Sequence, residues 1–209
     1  MKAHTAESQA TITPALALQY LKEGNARFVN NLKVNRNLLE QVNDTRDGQW
    51  PFAVILSCID SRTSAELVFD QGLGDIFSIR IAGNILNEDI LGSMEFATKL
   101  IGSKIIVVLG HTKCGAIKGA CDHVEMGHLT NLLNKIQPAV QREKTVLENR
   151  TSANSEFVEK VANLNVHHTI DRIREESAII RELESTGQIT IVGGIYDVDS
   201  GIVEFDEAY

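Results

Sequence analysis

Residues 52–60 read Phe-Ala-Val-Ile-Leu-Ser-Cys-Ile-Asp, an unbroken apolar run that ends in a thiol and a carboxylate. Its length and its β-branched residues predict a strand that is buried on both faces, as in a parallel sheet. Similar runs follow at Ile76–Ala82, Lys104–Gly110 and Ile189–Gly193. Helix-like segments separate the four runs, which predicts an α/β fold around a mostly parallel sheet of four strands.

The rest of the chain supplies the covering elements of this sheet. Residues 196–205, with Asp199-Ser200-Gly201 as a turn, predict a C-terminal antiparallel edge strand. We expect one domain over residues 1–209, with an N-terminal helical arm (1–47) and an α/β core (48–209). Hydrophobic spacing predicts six helices, at Pro14–Asn31, Val34–Asp47, Asn87–Ile101, Ala116–Asp122, Leu129–Asn149 and Ser155–Ser185.

Composition narrows the class of protein. The chain has 209 residues, 43% of them hydrophobic, which is typical of one globular domain. Its net charge of −8 argues against binding to nucleic acid or to an anionic membrane surface. No apolar run reaches the length of a membrane span, and the first 13 residues do not resemble a signal peptide. We therefore expect a cytoplasmic protein.

Three cysteines are too few, and odd in number, for a disulfide framework. Cys58 stands at the carboxyl end of the first predicted strand, and His111 and Cys114 follow the third. Sites in open α/β sheets form outside the carboxyl ends of strands, so neighbouring strands would bring these side chains together. Catalytic zinc takes three protein ligands and keeps one position open. The pattern predicts such a site.

Asp60 and Arg62 alternate with Cys58, which places all three on one face if the strand continues. An ionic pair beside a ligand favours catalytic over structural zinc. Each residue also has a simpler interpretation, because Cys58 can be a buried structural thiol, His111 a hydrogen-bonded histidine and Asp60 a helix cap. Their joint occurrence at two strand ends favours the metal site.

The other sulfur and imidazole groups lack ligand spacing. Cys121 lies inside a predicted helix, seven residues after Cys114, and we expect it to pack in the core. Four histidines are expected on the solvated surface, namely His123, His128, His167 and His168.

Together these motifs resemble the β-class carbonic anhydrases. The resemblance rests on Cys58-x-Asp60-x-Arg62, on His111-x-x-Cys114-Gly115 and on a block over residues 69–84, Phe-Asp-Gln-Gly-Leu-Gly-Asp-Ile-Phe-Ser-Ile-Arg-Ile-Ala-Gly-Asn. It extends from about Gln49 to Ala120. It implies one Zn²⁺ per subunit, bound by Cys58, His111 and Cys114, and it implies Asp60 and Arg62 as a catalytic dyad.

The resemblance also implies a substrate pocket at a subunit interface. Its residues would be Gln49, Phe77, Ala82, Phe96 and Gly115, with Gln49 and Phe77 contributed by the neighbouring subunit. Phe96 departs from the family, in which many members have Tyr, and so lacks one hydroxyl. The N-terminal helices are expected to pack on a dimer partner, in a homodimer or a dimer of dimers.

The implied reaction is the reversible hydration of CO₂ to bicarbonate and a proton, through attack of zinc-bound hydroxide. Asp60 paired with Arg62 would stay off the metal, whereas an unpaired Asp60 would become a fourth ligand in a closed state. Two other functions remain open. One is a related hydrolase of CS₂ or COS, and the other is a zinc-stabilised, non-catalytic binding module with a closed four-ligand site.

Overall fold

A five-stranded sheet forms the centre of the computed structural model, which describes residues 2–206. Its strands, in spatial order, are β2 (Ile76–Arg80), β1 (Ala53–Ser57), β3 (Ile105–His111), β4 (Thr190–Tyr196) and β5 (Val203–Asp206). The first four are parallel, and β5 pairs with β4 in the antiparallel direction. The predicted α/β fold is therefore confirmed, including its antiparallel edge.

Helices cover both faces of the sheet. Every residue of β1 and β3 is buried, as their unbroken apolar sequences predict, whereas β2 has a buried first residue followed by alternating half-buried and exposed positions. The helices are α1 (Ala6–Ala10), α2 (Pro14–Val29), α3 (Leu38–Thr45), α4 (Ala65–Val68), α5 (Glu88–Glu95), α6 (Gly115–Cys121), α7 (Gly127–Asn134), α8 (Gln137–Arg142), α9 (Ser155–Glu176) and α10 (Ala178–Ser185). Within residues 2–206, none is both long and apolar enough to span a membrane.

The two main helices of the N-terminal arm differ in how they pack. Helix α2 buries Leu21 against the core of its own chain, and Gly24 packs so closely that an added Cβ would lie 1.8 Å from the carbonyl oxygen of Phe69. Helix α3 does the reverse, because it buries Gln41 while Leu39 is 76% exposed. The expected packing on a partner thus remains a prediction, and α3 is the helix whose apolar face is uncovered in one chain.

Three predicted helices end or change earlier than expected. The segment expected as one helix over Leu129–Asn149 holds most of α7, which begins at Gly127, and all of α8. The chain then folds around the buried Glu143, which accepts hydrogen bonds from Thr145 N and Val146 N. The segment Ser155–Ser185 divides at Ser177, whose side chain caps α10. Helix α5 continues through a π-helical turn at Phe96–Leu100.

Candidate metal centre

Two neighbouring strands bring the predicted ligands together. Ser57 of β1 pairs with Leu109 of β3, so Cys58 follows β1 at the edge of the sheet where β3 ends in His111. Cys114 precedes the first residue of α6. The Sγ atoms of Cys58 and Cys114 are 4.0 Å apart, and the three possible ligand atoms lie within 4.8 Å of one another. All three side chains are buried, so this group could hold a metal ion.

The imidazole of His111 is oriented for ligation. Its Nδ1 lies 2.9 Å from the carbonyl oxygen of Thr112. A carbonyl only accepts hydrogen bonds, so Nδ1 carries the proton and Nε2 keeps its lone pair. Nε2 is buried and has no hydrogen-bond partner among the residues that the structure describes. Buried polar atoms normally have a partner, and a metal ion would supply one here.

The surroundings of the thiols favour a thiolate. Hydrogen bonding to Cys114 lowers the pKa of Cys58 in spite of burial, and the backbone N–H of Gly83 also donates to Cys58 Sγ at 3.3 Å. The same contact and burial raise the pKa of Cys114. Gly83 has φ of 69°, and an added Cβ would lie 2.7 Å from Ile136. Glycine therefore suits the position from which this N–H reaches the sulfur.

Asp60 is bonded to Arg62. Arg62 Nε donates to Oδ1 at 2.9 Å and Nη2 donates to Oδ2 at 2.8 Å, a bidentate arrangement. These hydrogen bonds hold the pKa of the Asp60 carboxyl well below its usual range. Oδ2 also lies 4.0 Å from His111 Nε2, so the carboxylate borders the ligand group.

Two further side chains fix the loop that carries Cys58 and Asp60. Arg80 donates to the carbonyl oxygens of Cys58 at 3.1 Å and Asp60 at 2.6 Å. The hydroxyl of Thr63 lies 3.1 Å and 2.9 Å from the same two oxygens. Sequence reasoning did not assign these roles, because a contact to a backbone carbonyl leaves no spacing pattern.

Comparison with known proteins places this centre in a family. The family model for carbonic anhydrase matches residues 53–203. The chain is 37% identical over 190 residues to carbonic anhydrase 2 of Mycobacterium tuberculosis, with 90% of each chain covered. The β-carbonic anhydrase CafA of Aspergillus fumigatus has a TM-score of 0.70 at 25% identity, covering 93% of this chain and 91% of that one.

The chain belongs to the β-carbonic anhydrase family. The predicted family and enzyme class are thereby confirmed. A tetrameric β-carbonic anhydrase from Sordaria macrospora shares the fold, with a TM-score of 0.70, 22% identity and 91% of each chain covered.

Only some of the pocket residues implied by this family lie near the ligand group. Ala82 precedes Gly83, which contacts Cys58, and Gly115 follows Cys114. Gln49 is exposed and precedes β1, whose five residues span about 17 Å. Gln49 therefore lies near the amino ends of the strands, whereas Cys58 lies at their carboxyl ends.

The two aromatic pocket residues lie along the sheet, away from the ligands. Phe77 pairs with Val54, about 13 Å along β1 from Cys58. The rings of Phe77 and Phe96 are 6.4 Å apart, edge to face, and both line an open groove of about 660 Å³ with Glu88 and Asp89. No ligand of the metal centre lines this groove. A single chain thus does not assemble the implied pocket.

The four histidines expected on the solvated surface divide into two pairs. His123 and His128 are exposed, as expected, and Cys121 is buried in α6. The expectation of a solvated surface is wrong for His167 and His168, which are partly buried on α9. His167 Nε2 lies 2.7 Å from Asn163 Oδ1, one turn away on α9. It also lies 3.4 Å from Asp206 Oδ2, because β5 packs beside this turn of the helix.

Proposed function

We propose that this chain is a zinc enzyme that catalyses the reversible hydration of CO₂ to bicarbonate and a proton. The observation that carries the proposal is the buried Cys58–His111–Cys114 group beside the Asp60 carboxylate, which accepts two side-chain hydrogen bonds from Arg62. Three protein ligands and a separate ionic pair are typical of a catalytic zinc site.

The donor set fits zinc. Thiolates with an imidazole favour Zn²⁺ over Mg²⁺ or Ca²⁺, which prefer oxygen ligands. The buried Nε2 atom of His111 and the closely spaced sulfur atoms offer three donors on one side of a small volume. When bound, zinc supplies a Lewis acid that makes water nucleophilic near neutral pH.

Asp60 has the charge and position to orient a water molecule. Its lowered pKa keeps the carboxylate ionised, and Oδ2 retains acceptor capacity after binding Arg62. This oxygen is 4.0 Å from His111 Nε2, so it can accept a hydrogen bond from water beside the ligands. A structural zinc module would gain a fourth ligand instead and would have no use for Arg62.

The substrate CO₂ is apolar and needs a dry surface more than it needs hydrogen bonds. The ligand cysteines belong to a buried apolar cluster that includes Ile85 and Ile117, with Ile81 packed against it. Apolar walls here exclude competing water and strengthen the electrostatic effect of Asp60. Ala82 and Gly115 add little bulk next to the ligands, which leaves room for a small substrate.

We further propose that a second copy of the chain completes the pocket with its own Gln49 and Phe77. In one chain both residues lie more than 10 Å along the sheet from Cys58, by the rise of about 3.3 Å per residue. The apolar residues of α3, Leu38, Leu39 and Val42, are all exposed and offer a surface for such a contact.

The test measures zinc per subunit by elemental analysis and CO₂ hydration by a stopped-flow pH-indicator assay. Wild type is expected to bind one zinc and to lose turnover after chelation, with recovery on zinc addition. Loss of a hydrogen-bond partner of a ligand lowers metal affinity by up to about 100-fold, and Cys58→Ser, which removes a ligand itself, should lower it far more. Cys121→Ala removes a buried thiol outside the ligand group and should retain metal and turnover. Full turnover by Cys58→Ser, or by metal-free wild type, would disprove the proposal.

A further inference from the structure

Thr112, which follows the candidate ligand His111, is hydrogen-bonded to the turn that joins β4 and β5. This turn spans residues 197–202 and is called the β4–β5 turn. Thr112 N donates to the carbonyl oxygen of Tyr196 at 3.0 Å. Thr112 Oγ1 donates to Asp197 Oδ1 at 3.0 Å and accepts from the backbone N–H of Val198 at 3.0 Å. The hydroxyl therefore uses its proton and one lone pair within a single turn, 85 residues away in sequence.

The β4–β5 turn is a closed and anchored structure. Asp197 Oδ2 accepts from the Ser200 hydroxyl at 2.6 Å, and Oδ1 accepts from the Asp199 backbone N–H at 3.1 Å. The buried Asn25 of α2 fixes the far side, because its Nδ2 donates to Gly201 O and its Oδ1 accepts from Val203 N, both at 2.9 Å. Asp197 is thus a fixed point and not the tip of a free loop.

The backbone of Thr112 contacts the His111 ring directly. The carbonyl oxygen of Thr112 is the acceptor for His111 Nδ1, at 2.9 Å. If the Thr112 peptide rotated, this acceptor would move away from Nδ1. The contact would then no longer hold the proton on Nδ1 or fix the direction in which Nε2 points. Outer partners of a ligating histidine commonly act in this way.

We propose that Thr112 and Asp197 are positioning residues that hold the His111 imidazole in the orientation required for metal binding. The inference rests on the proposed zinc site and concerns its affinity. Asp197 acts through the Thr112 hydroxyl, Thr112 acts through its own carbonyl, and neither touches the substrate.

A matched pair of variants separates the hydroxyl from the bulk of the side chain. Thr112→Val keeps the shape but removes both hydroxyl contacts, whereas Thr112→Ser keeps them. The affinity for Zn²⁺, measured by competition with a chromogenic chelator, is expected to fall about 10- to 100-fold in Thr112→Val. It should stay within about threefold of wild type in Thr112→Ser.

A second pair tests the contact from the β4–β5 turn. Asp197→Ala should weaken Zn²⁺ binding to a similar extent, and it keeps the test available if Thr112→Val yields too little folded protein. Asp199→Ala is the control, because it removes the exposed ion pair with Lys113 and leaves the Thr112–Asp197 hydrogen bond in place, so its affinity for Zn²⁺ should stay within about threefold of wild type. Visible absorption of the Co²⁺-substituted proteins should change in Thr112→Val and Asp197→Ala and not in the controls.

The outcomes distinguish this inference from the proposed function. Failure of wild type to bind Zn²⁺ would contradict both. Tight binding by wild type together with an unchanged affinity in Thr112→Val and Asp197→Ala would overturn the positioning role alone. An equal loss in Thr112→Ser would also overturn it, because the hydroxyl would then be irrelevant.

Discussion

The ligand group and the implied substrate pocket differ in how far one chain builds them. The candidate ligand atoms of Cys58, His111 and Cys114 are buried and lie within 4.8 Å of one another. Backbone groups of Gly83 and Thr112 are hydrogen-bonded to Cys58 and His111. By contrast, Gln49 is exposed near the amino ends of the strands, and Phe96 is 46% exposed beside Phe77 in an open groove. One chain thus brings the three candidate ligands together but leaves the implied pocket residues apart, which supports the proposal that a second copy completes the pocket.

The sheet topology explains this division. Strands β1 and β3 are parallel neighbours, so their carboxyl ends lie side by side. Residues that follow the two strands therefore meet within one chain. Residues that precede β1, or lie near the start of β2, are too far along an extended strand to reach the carboxyl ends. A symmetric partner can present the same residues from outside, because an isologous interface repeats every surface on both subunits.

The largest effect should come from the ionic pair beside the ligands. Arg62→Ala is expected to reduce kcat/KM by about 100-fold, the lower range for loss of a positioned proton acceptor. Asp60 would lose both side-chain donors, its pKa would rise towards the ordinary value, and the carboxylate would be free to turn towards the metal. Steady-state CO₂ hydration measures the loss, and zinc content should be unchanged.

Two comparators sharpen this prediction. Arg62→Lys keeps the charge but cannot form the bidentate pair, so it should recover little of the lost activity. Arg46→Ala is the matched control, since Arg46 is 71% exposed and bonds only to its exposed neighbour Asp47 among the contacts described for residues 2–206. Undiminished turnover in Arg62→Ala would show that the Asp60–Arg62 pair has no part in catalysis.

The site could be predicted from the sequence to the extent that it follows strand ends. Cys58 and His111 lie where apolar runs stop, and the rule for parallel sheets then brings them together. The contacts of Arg80 and Thr112 were not predictable in this way. Each joins segments 20 or more residues apart through a backbone carbonyl or a turn, and such contacts depend on the folded path and not on periodicity.

The same distinction applies to the fold. Strands β1 and β3 lie close to their predicted positions, because continuous burial imposes an apolar run. Helix ends were predicted less well because they depend on single polar groups. The Ser177 hydroxyl starts α10, and the Glu143 carboxylate binds a loop that hydrophobic spacing alone would continue as helix.

A smaller effect should expose the contribution of the partner subunit. Gln49→Ala is expected to lower kcat/KM by about tenfold, as for one hydrogen bond to a charged or polarised group. Its origin can be tested in purified heterodimers, with one affinity tag on each chain. A Gln49→Ala chain paired with a Cys58→Ser chain should regain one full site, because the metal-binding chain then receives Gln49 from its partner.

The reciprocal heterodimer is the control. It pairs wild type with a chain that carries both Gln49→Ala and Cys58→Ser, so its only metal centre faces a partner without the glutamine. This arrangement should show the tenfold loss that the first heterodimer repairs. The opposite result, full activity here and low activity in the first, would assign Gln49 to its own chain and end the contrast between metal centre and pocket.

The smallest effect is expected at Phe96. Phe96→Tyr keeps the edge-to-face contact with Phe77, and its hydroxyl would lie at the exposed rim of the groove. A net hydrogen bond contributes about 0.5–1.5 kcal/mol when a protein acceptor replaces water, and less when the group stays wet. We therefore expect kcat/KM to change by less than about threefold, whereas Phe96→Leu should lower stability by about 1 kcal/mol through the lost ring pair. A tenfold change in kcat/KM with Tyr would contradict this expectation and would show that the assembled pocket brings this rim against the substrate.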